Sequence, residues 1–167
     1  MKTLKNIFLV ILTIGMLQSC IVSEKPNIDF FQNSKYDFKG AQFASINVPM
    51  VLAKSYIKKA LREDGESEET ISLIRKASKI KLLTVTNGSQ QMLNDYVQYL
   101  NNHHYEEWAT IKHDGDHINI MVKQDGDVIK NMLLTVGSNA NEMMFVDVKG
   151  NFTANDISKM INSVSTQ

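Results

Sequence analysis

The sequence predicts an α+β domain in which an antiparallel meander sheet of four to five strands packs against helices in two layers. Three observations predict it. Apolar residues recur at helical spacing through much of the stretch from Pro49 to Leu100. Residues from about 109 to 148 alternate instead, interrupted by Asp114-Gly115, Asp125-Gly126 and Asn139-Ala140-Asn141. A last helical stripe then follows Gly150.

Pro49 suits the first turn of a helix, where its missing N–H is not needed, and Met50, Ala53, Ile57 and Leu61 follow on one face. Asp64-Gly65 ends that helix. Ser67 is placed to cap a second, with Glu68 and Glu69 in its first turn and Ile71, Ile74 and Ala77 as its apolar stripe. Ile80 to Thr86 reads as a short buried strand. Asn87-Gly88 turns the chain, Ser89 caps, and Met92, Leu93, Tyr96 and Leu100 line a third helix.

Asp114-Gly115 is a two-residue hairpin signal; pairing His113 with Asp116 sets Ile111 opposite Ile118 and Ala109 opposite Ile120. Asp125-Gly126 repeats the signal, but a strict two-residue loop aligns the apolar residues less well, so a bulge is expected. The third turn opposes Leu134 to Val146 and Met132 to Val148. Thr153 caps the last helix with Asp156 in a capping-box position and Ile157, Met160, Ile161 and Val164 facing inward. With helices on one face of the sheet, Lys112, His117, Asn119 and Lys123 occupy the other, a mixed surface that declares no cleft.

Ahead of this domain, Lys2 and Lys5 precede an apolar run from Ile7 to Leu17, and Leu17-Gln18-Ser19-Cys20 follows. Charged, apolar and small-residue regions in that order are those of a secretory signal peptide. The run rises only about 16 Å as a helix, roughly half the hydrocarbon thickness of a bilayer, so it is too short to span. Its ending resembles the lipobox of bacterial lipoproteins. That resemblance implies cleavage before Cys20, acylation of its sulfur, and a second acylation of the new N-terminus. Cys20 is the only cysteine, with no intrachain disulfide partner. The expected organisation is a signal peptide over 1–19, a lipidated N-terminus and tether over 20–39, and one α+β domain over 40–167. In the tether, Phe30, Phe31, Tyr36 and Phe38 follow no sustained period and are expected to order against the domain or a partner. By the same resemblance, Ile21, where inner-membrane lipoproteins carry Asp, points to the outer membrane facing the periplasm, with surface exposure left open.

Loss of Lys2 and Lys5 with the leader takes the basic residues from 18 to 16 against 18 acids, a net charge near −2. That balance argues against nucleic-acid binding, which calls for a strongly basic domain.

Tyr105-Glu106-Glu107-Trp108, Lys112 to Ile120, Val128 to Leu134 and Val148-Lys149-Gly150-Asn151-Phe152 together resemble a family of small secreted proteins and lipoproteins of the Bacteroidetes group, catalogued as domain of unknown function 4252. The resemblance covers roughly the C-terminal two-thirds of the mature chain. It implies a cell-envelope setting and brings no catalytic motif.

Few residues suggest chemistry. His103 and His104, beside Glu106 and Glu107, are candidates for a metal or acid–base site, but adjacent helical residues point about 100° apart and do not form the i, i+4 ligand pair. Histidines at a helix C-terminus also suit the helix dipole. His113 and His117 flank the first hairpin turn and fall on opposite faces in the register above. Asp114, Asp116, Asp125 and Asp127 suggest calcium, yet the twelve-residue calcium-loop pattern is absent. No nucleophile elbow, phosphate loop or dinucleotide fingerprint occurs. The methionines fall largely on apolar faces, and Met143, Met144 and Phe145 offer an apolar surface for a partner. The expectation is a lipid-anchored, non-catalytic binding or interaction module with no cofactor and no resident metal, held to the membrane by its lipid and partnered by an envelope protein. The alternatives are a small envelope enzyme or metal-binding protein, and an accessory of an envelope-stress signalling system.

Overall fold

A computed structural model describes residues 22–33, 36, 38–63, 68–113, 116–139 and 141–165. The elements run β1 (Val22–Ser23), β2 (Gln42–Val48), α1 (Met50–Glu63), α2 (Glu68–Lys76), β3 (Ala77–Thr86), α3 (Gln90–Asn102), β4 (Glu106–His113), β5 (Asp116–Asp125), β6 (Val128–Asn139), β7 (Glu142–Phe152) and α4 (Ala154–Ser165). Residues 1–21, with the expected signal peptide and Cys20, and Ser67, Asp114 and Gly115 lie outside the described residues.

All seven strands form one antiparallel sheet in the order β1-β2-β3-β7-β6-β5-β4. The α+β class holds, but the count of four to five strands does not, because β1 and β2 extend the sheet. β2 escapes a sequence reading for a physical reason: Gln-Phe-Ala-Ser-Ile-Asn-Val mixes small, polar and apolar residues on both faces, and Ser45 is as buried as any core residue. The meander follows its expected registers. His113 pairs with Asp116, Ile111 with Ile118 and Ala109 with Ile120; Leu134 pairs with Val146 and Met132 with Val148. The expected bulge in the second hairpin falls between Lys123 and Gln124.

The helices do not share one face, so the domain has three layers rather than two. On the first face, Leu83, Val85, Met121, Leu133, Met143 and Phe145 pack against Met92, Tyr96 and Leu100 of α3 and against Ile28, Phe30 and Phe31. On the second, Ile80, Ile120, Val122, Met132, Val148 and Phe152 meet Met50 of α1, Leu73 of α2 and Ile157 of α4. Strict alternation along β5, β6 and β7 loads both faces, as a sheet covered on both sides requires. Of Met143, Met144 and Phe145, only Met144 remains exposed.

Within the stretch expected to be a tether, Ile28, Phe30 and Phe31 belong to this first core with Tyr36 and Phe38 packed against them, so its aromatics order against the domain. Phe30 is fully buried, with ring centroids 4.8 Å from Phe31, 4.6 Å from Tyr36 and 5.3 Å from Tyr96. Polar bonds hold the same segment along β2: Asn27 Nδ2 donates to Ile46 O at 3.0 Å, and Ser45 Oγ to Lys25 O at 2.7 Å.

Helix ends follow local chemistry. Ser89 Oγ accepts from Met92 N at 3.1 Å. Thr153 and Asp156 form the reciprocal cap, with Thr153 N donating to Asp156 Oδ2 at 2.8 Å and Asp156 N to Thr153 Oγ1 at 3.3 Å. Lys76 Nζ joins at 2.6 Å, tying α2 to α4. Partial burial pushes the Asp156 carboxyl up, but the bonds from Lys76 and Thr153 outweigh it and leave it below the usual carboxylate range. The helix expected to reach Ala77 ends one residue earlier; Ala77 opens β3 opposite Gly150, where a Cβ would come within 2.7 Å of the Lys76 carbonyl oxygen.

Candidate cleft beneath helix α3

α3 packs Met92, Tyr96 and Leu100 into the first core. Its neighbouring flank, with Leu93 and Val97, lies over strands whose side chains there are largely polar. The mismatch leaves a cleft of about 480 Å³. Leu93, Tyr96, Val97 and Leu100 of α3 form one wall with Met121 of β5 and Met143 of β7. Gln90, Asn101, Glu107, His117, Asn119, Thr135 and Gly137 complete the lining. The face expected to be a plain mixed surface is therefore where the cleft lies. A mostly apolar hollow of this size with a few polar groups is the usual form of a small-ligand site.

Sheet register fixes the polar side. Lys112, His117 and Gly137 form one cross-strand row; Thr110, Asn119 and Thr135 form the next. Asn119 Nδ2 donates to Thr110 Oγ1 at 3.1 Å, and Thr110 Oγ1 to Glu107 Oε1 at 2.9 Å, so the rim carboxylate is held by its neighbours. At the inner wall, the Tyr96 and Thr135 hydroxyl oxygens are buried and influence one another, yet neither has a hydrogen-bond partner of good geometry. Burial pushes the Tyr96 phenol well above the ordinary tyrosine range, with Thr135 pulling it partly back.

A second polar group lies deeper, beneath the N-terminal segment. Lys81 of β3 and Asp147 of β7 are directly opposed on the first face, both buried, with Nζ 3.8 Å from Asp147 Oδ2. The same Nζ donates to Asn27 O at 2.5 Å and to Asp29 Oδ1 at 3.3 Å. Burial raises the Asp147 carboxyl; Lys81, Lys149 and Asn131 offset part of the rise, and Asp29 adds to it. Nearby, Asn131 Nδ2 donates to Tyr105 Oη at 2.6 Å, and burial pushes the Tyr105 phenol up to about 12 against that bond. Because its cation reaches the backbone of residue 27, this group reads as a fastening for the N-terminal segment.

The four candidate histidines do not come together. His103 caps α3, its Nδ1 2.8 Å from Tyr99 O and its ring stacked on Tyr99 at 3.9 Å. His104 takes the left-handed conformation at φ 61°, with its N–H bonded to Asn101 O and Tyr105 N–H to Leu100 O. That is a Schellman stop, normally built on glycine. The His103-His104 pair is thus explained by ending a helix. His113 sits at the end of β4, and only His117 lines the cleft. Of the turn aspartates, Asp116 and Asp125 stand at opposite ends of β5, roughly 30 Å apart for a ten-residue strand. Among the described residues no group of three or more His, Cys, Asp or Glu side chains is placed to hold a metal ion, and no helix is long and apolar enough to cross a membrane.

The sequence placed Tyr96 in a core stripe and did not mark Thr135. A tyrosine in an otherwise aliphatic stripe is the one available signal, since its hydroxyl needs a partner when buried. A search of curated proteins and a search of solved structures each found no match. The family model described as "Domain of unknown function (DUF4252)" matches residues 36–160, taking in the helical half as well as the meander and the cleft between them, and the chain belongs to that family.

Proposed function

We propose that this chain is a lipid-anchored protein of the cell envelope, held at the outer membrane through Cys20, whose domain binds its ligand without transforming it. The cleft beneath α3 carries the reading. Its walls favour an apolar body. Glu107 on the rim disfavours an anion. The ligand class is therefore neutral and mostly apolar.

The test is fluorescence titration of the Cys20→Ser protein with the neutral probe N-phenyl-1-naphthylamine. A saturable increase is expected. Leu93→Trp, which fills the cleft, weakens it about tenfold or more. Equal binding by Leu93→Trp and the parent overturns the reading.

A protein partner is the second reading, and one observation favours it. β4 is the outermost strand on its side of the sheet, and Glu107 on it also lines the cleft. An extended segment added to β4 would run beside the opening. In-cell crosslinking followed by recovery from membranes, with Cys20→Ala as control, is expected to give one abundant partner that Leu93→Trp loses. A partner retained by Leu93→Trp places its contact elsewhere.

A further inference from the structure

Helix α1 sits close to the anchor and carries what a membrane surface would take. Val51 is 94% exposed and Tyr56 79%, the two most exposed large apolar side chains among the described residues. The opposite stripe, Met50, Ala53 and Ile57, is turned toward the body, with Met50 buried in the second core. The helix sequence holds four basic residues and one acid, in a mature chain that is slightly acidic as a whole. Lys54 spends its cation on the Arg75 carbonyl at 2.9 Å, and Lys59 lies 3.8 Å from Glu63 with both side chains largely solvated.

Connectivity supplies the second observation. β1 starts at Val22, so a lipid on Cys20 is two residues, at most about 7 Å, from the sheet. Val22 is paired with Ile46, and β2 runs from there through Val48 into α1 at Met50. Val51 therefore lies within about 30 Å of the anchored residue.

We propose that α1 rests on the bilayer as a second contact, with Val51 and Tyr56 at the headgroup boundary and the solvated Lys59, on a helix whose sequence is net basic, beside anionic lipid. The proposal rests on the lipid reading of Cys20 and deepens it. A multiply acylated Cys20 already holds the protein but leaves its body free to swing, and apolar and basic side chains beside the anchor would fix its orientation on the bilayer. Tyrosine suits that depth, with its ring in the interface and its hydroxyl in water. Such seating puts the β1 edge at the membrane. The cleft, on β4 to β7, lies roughly 15–30 Å further along the sheet at about 4.8 Å per strand.

The test uses the acylated mature protein in vesicles of phosphatidylethanolamine and phosphatidylglycerol. Acylation is verified by intact mass. With Cys20 blocked, Val51→Cys or Gln98→Cys supplies a single thiol for a bimane label. Both positions are exposed, and Gln98 is on α3, across the sheet from α1. Doxyl-labelled lipid is expected to quench the Val51 label about threefold more than the Gln98 label, with the contrast shrinking in high salt. Acylated protein whose two labels are quenched alike overturns the seating and leaves the lipid reading standing. A Cys20 without acyl mass overturns the lipid reading, and the seating with it.

Discussion

Phe30→Ala is expected to lower the unfolding free energy by about 3–5 kcal/mol, the range for removing a large aromatic side chain from a packed core. Phe30 has no exposed surface, and its ring meets five others, among them Phe38 at 5.4 Å and Tyr99 at 5.4 Å. Edge-to-face aromatic contacts add to area burial, so an upper-range loss is expected. Urea unfolding checks it: the midpoint should fall while the slope stays constant, as for a site within one cooperative unit. A loss below about 1 kcal/mol would mean that residues 22–39 dock on a domain already stable without them. The expected loss places the domain's first packed residues close to Cys20 in sequence and predicts that a chain beginning at residue 40 exposes Tyr96, Leu83 and Phe145 to water.

The sequence made the meander legible because two constraints agree there. Asp-Gly turns fix the pairing, and alternation fixes the face; a one-residue slip would turn every apolar residue of β5 to the wrong side. The caps at Ser89 and Thr153 were readable for a similar reason, a short-range bond between residues three apart. What escaped depends on partners distant in sequence. Aromatic residues without a period give no register, so Phe30 and Phe31 could not be assigned to a core until α3 was placed over them. β5 carries a single apolar residue, Met121, on its otherwise polar face, too weak a signal to mark that face as covered, yet Met121, Leu133 and Phe145 all lie in the core beneath α3. The cleft was invisible because it arises from a mismatch between one helix flank and the strands below it. The histidine pair illustrates the converse, since residues that attract chemical attention turned out to stop a helix.

Lys81→Met is expected to cost about 3–5 kcal/mol near neutral pH, because removing one partner of a buried ion pair strands the other. The Lys81 and Asp147 side chains are only 9% and 5% exposed, and Asp147 Oδ1 already lacks a hydrogen-bond partner. Asp29, 65% exposed, contributes little to the pair. The carboxyl of Asp147 lies above its ordinary value in the folded protein, chiefly through burial, and the loss of Lys81 moves it higher. A raised carboxyl favours the folded state while it is protonated in both states, below about pH 4, and that advantage is lost as pH rises through the folded value. The deficit of Lys81→Met relative to the parent should therefore be largest at neutral pH and shrink on acidification toward that point, an ordering that a merely steric defect would not produce. Urea titrations at several pH values decide between them. The double variant Lys81→Met, Asp147→Leu removes both charges and should recover most of the loss. If it does not, the loss lies in the bond from Lys81 Nζ to the Asn27 carbonyl rather than in a stranded carboxylate.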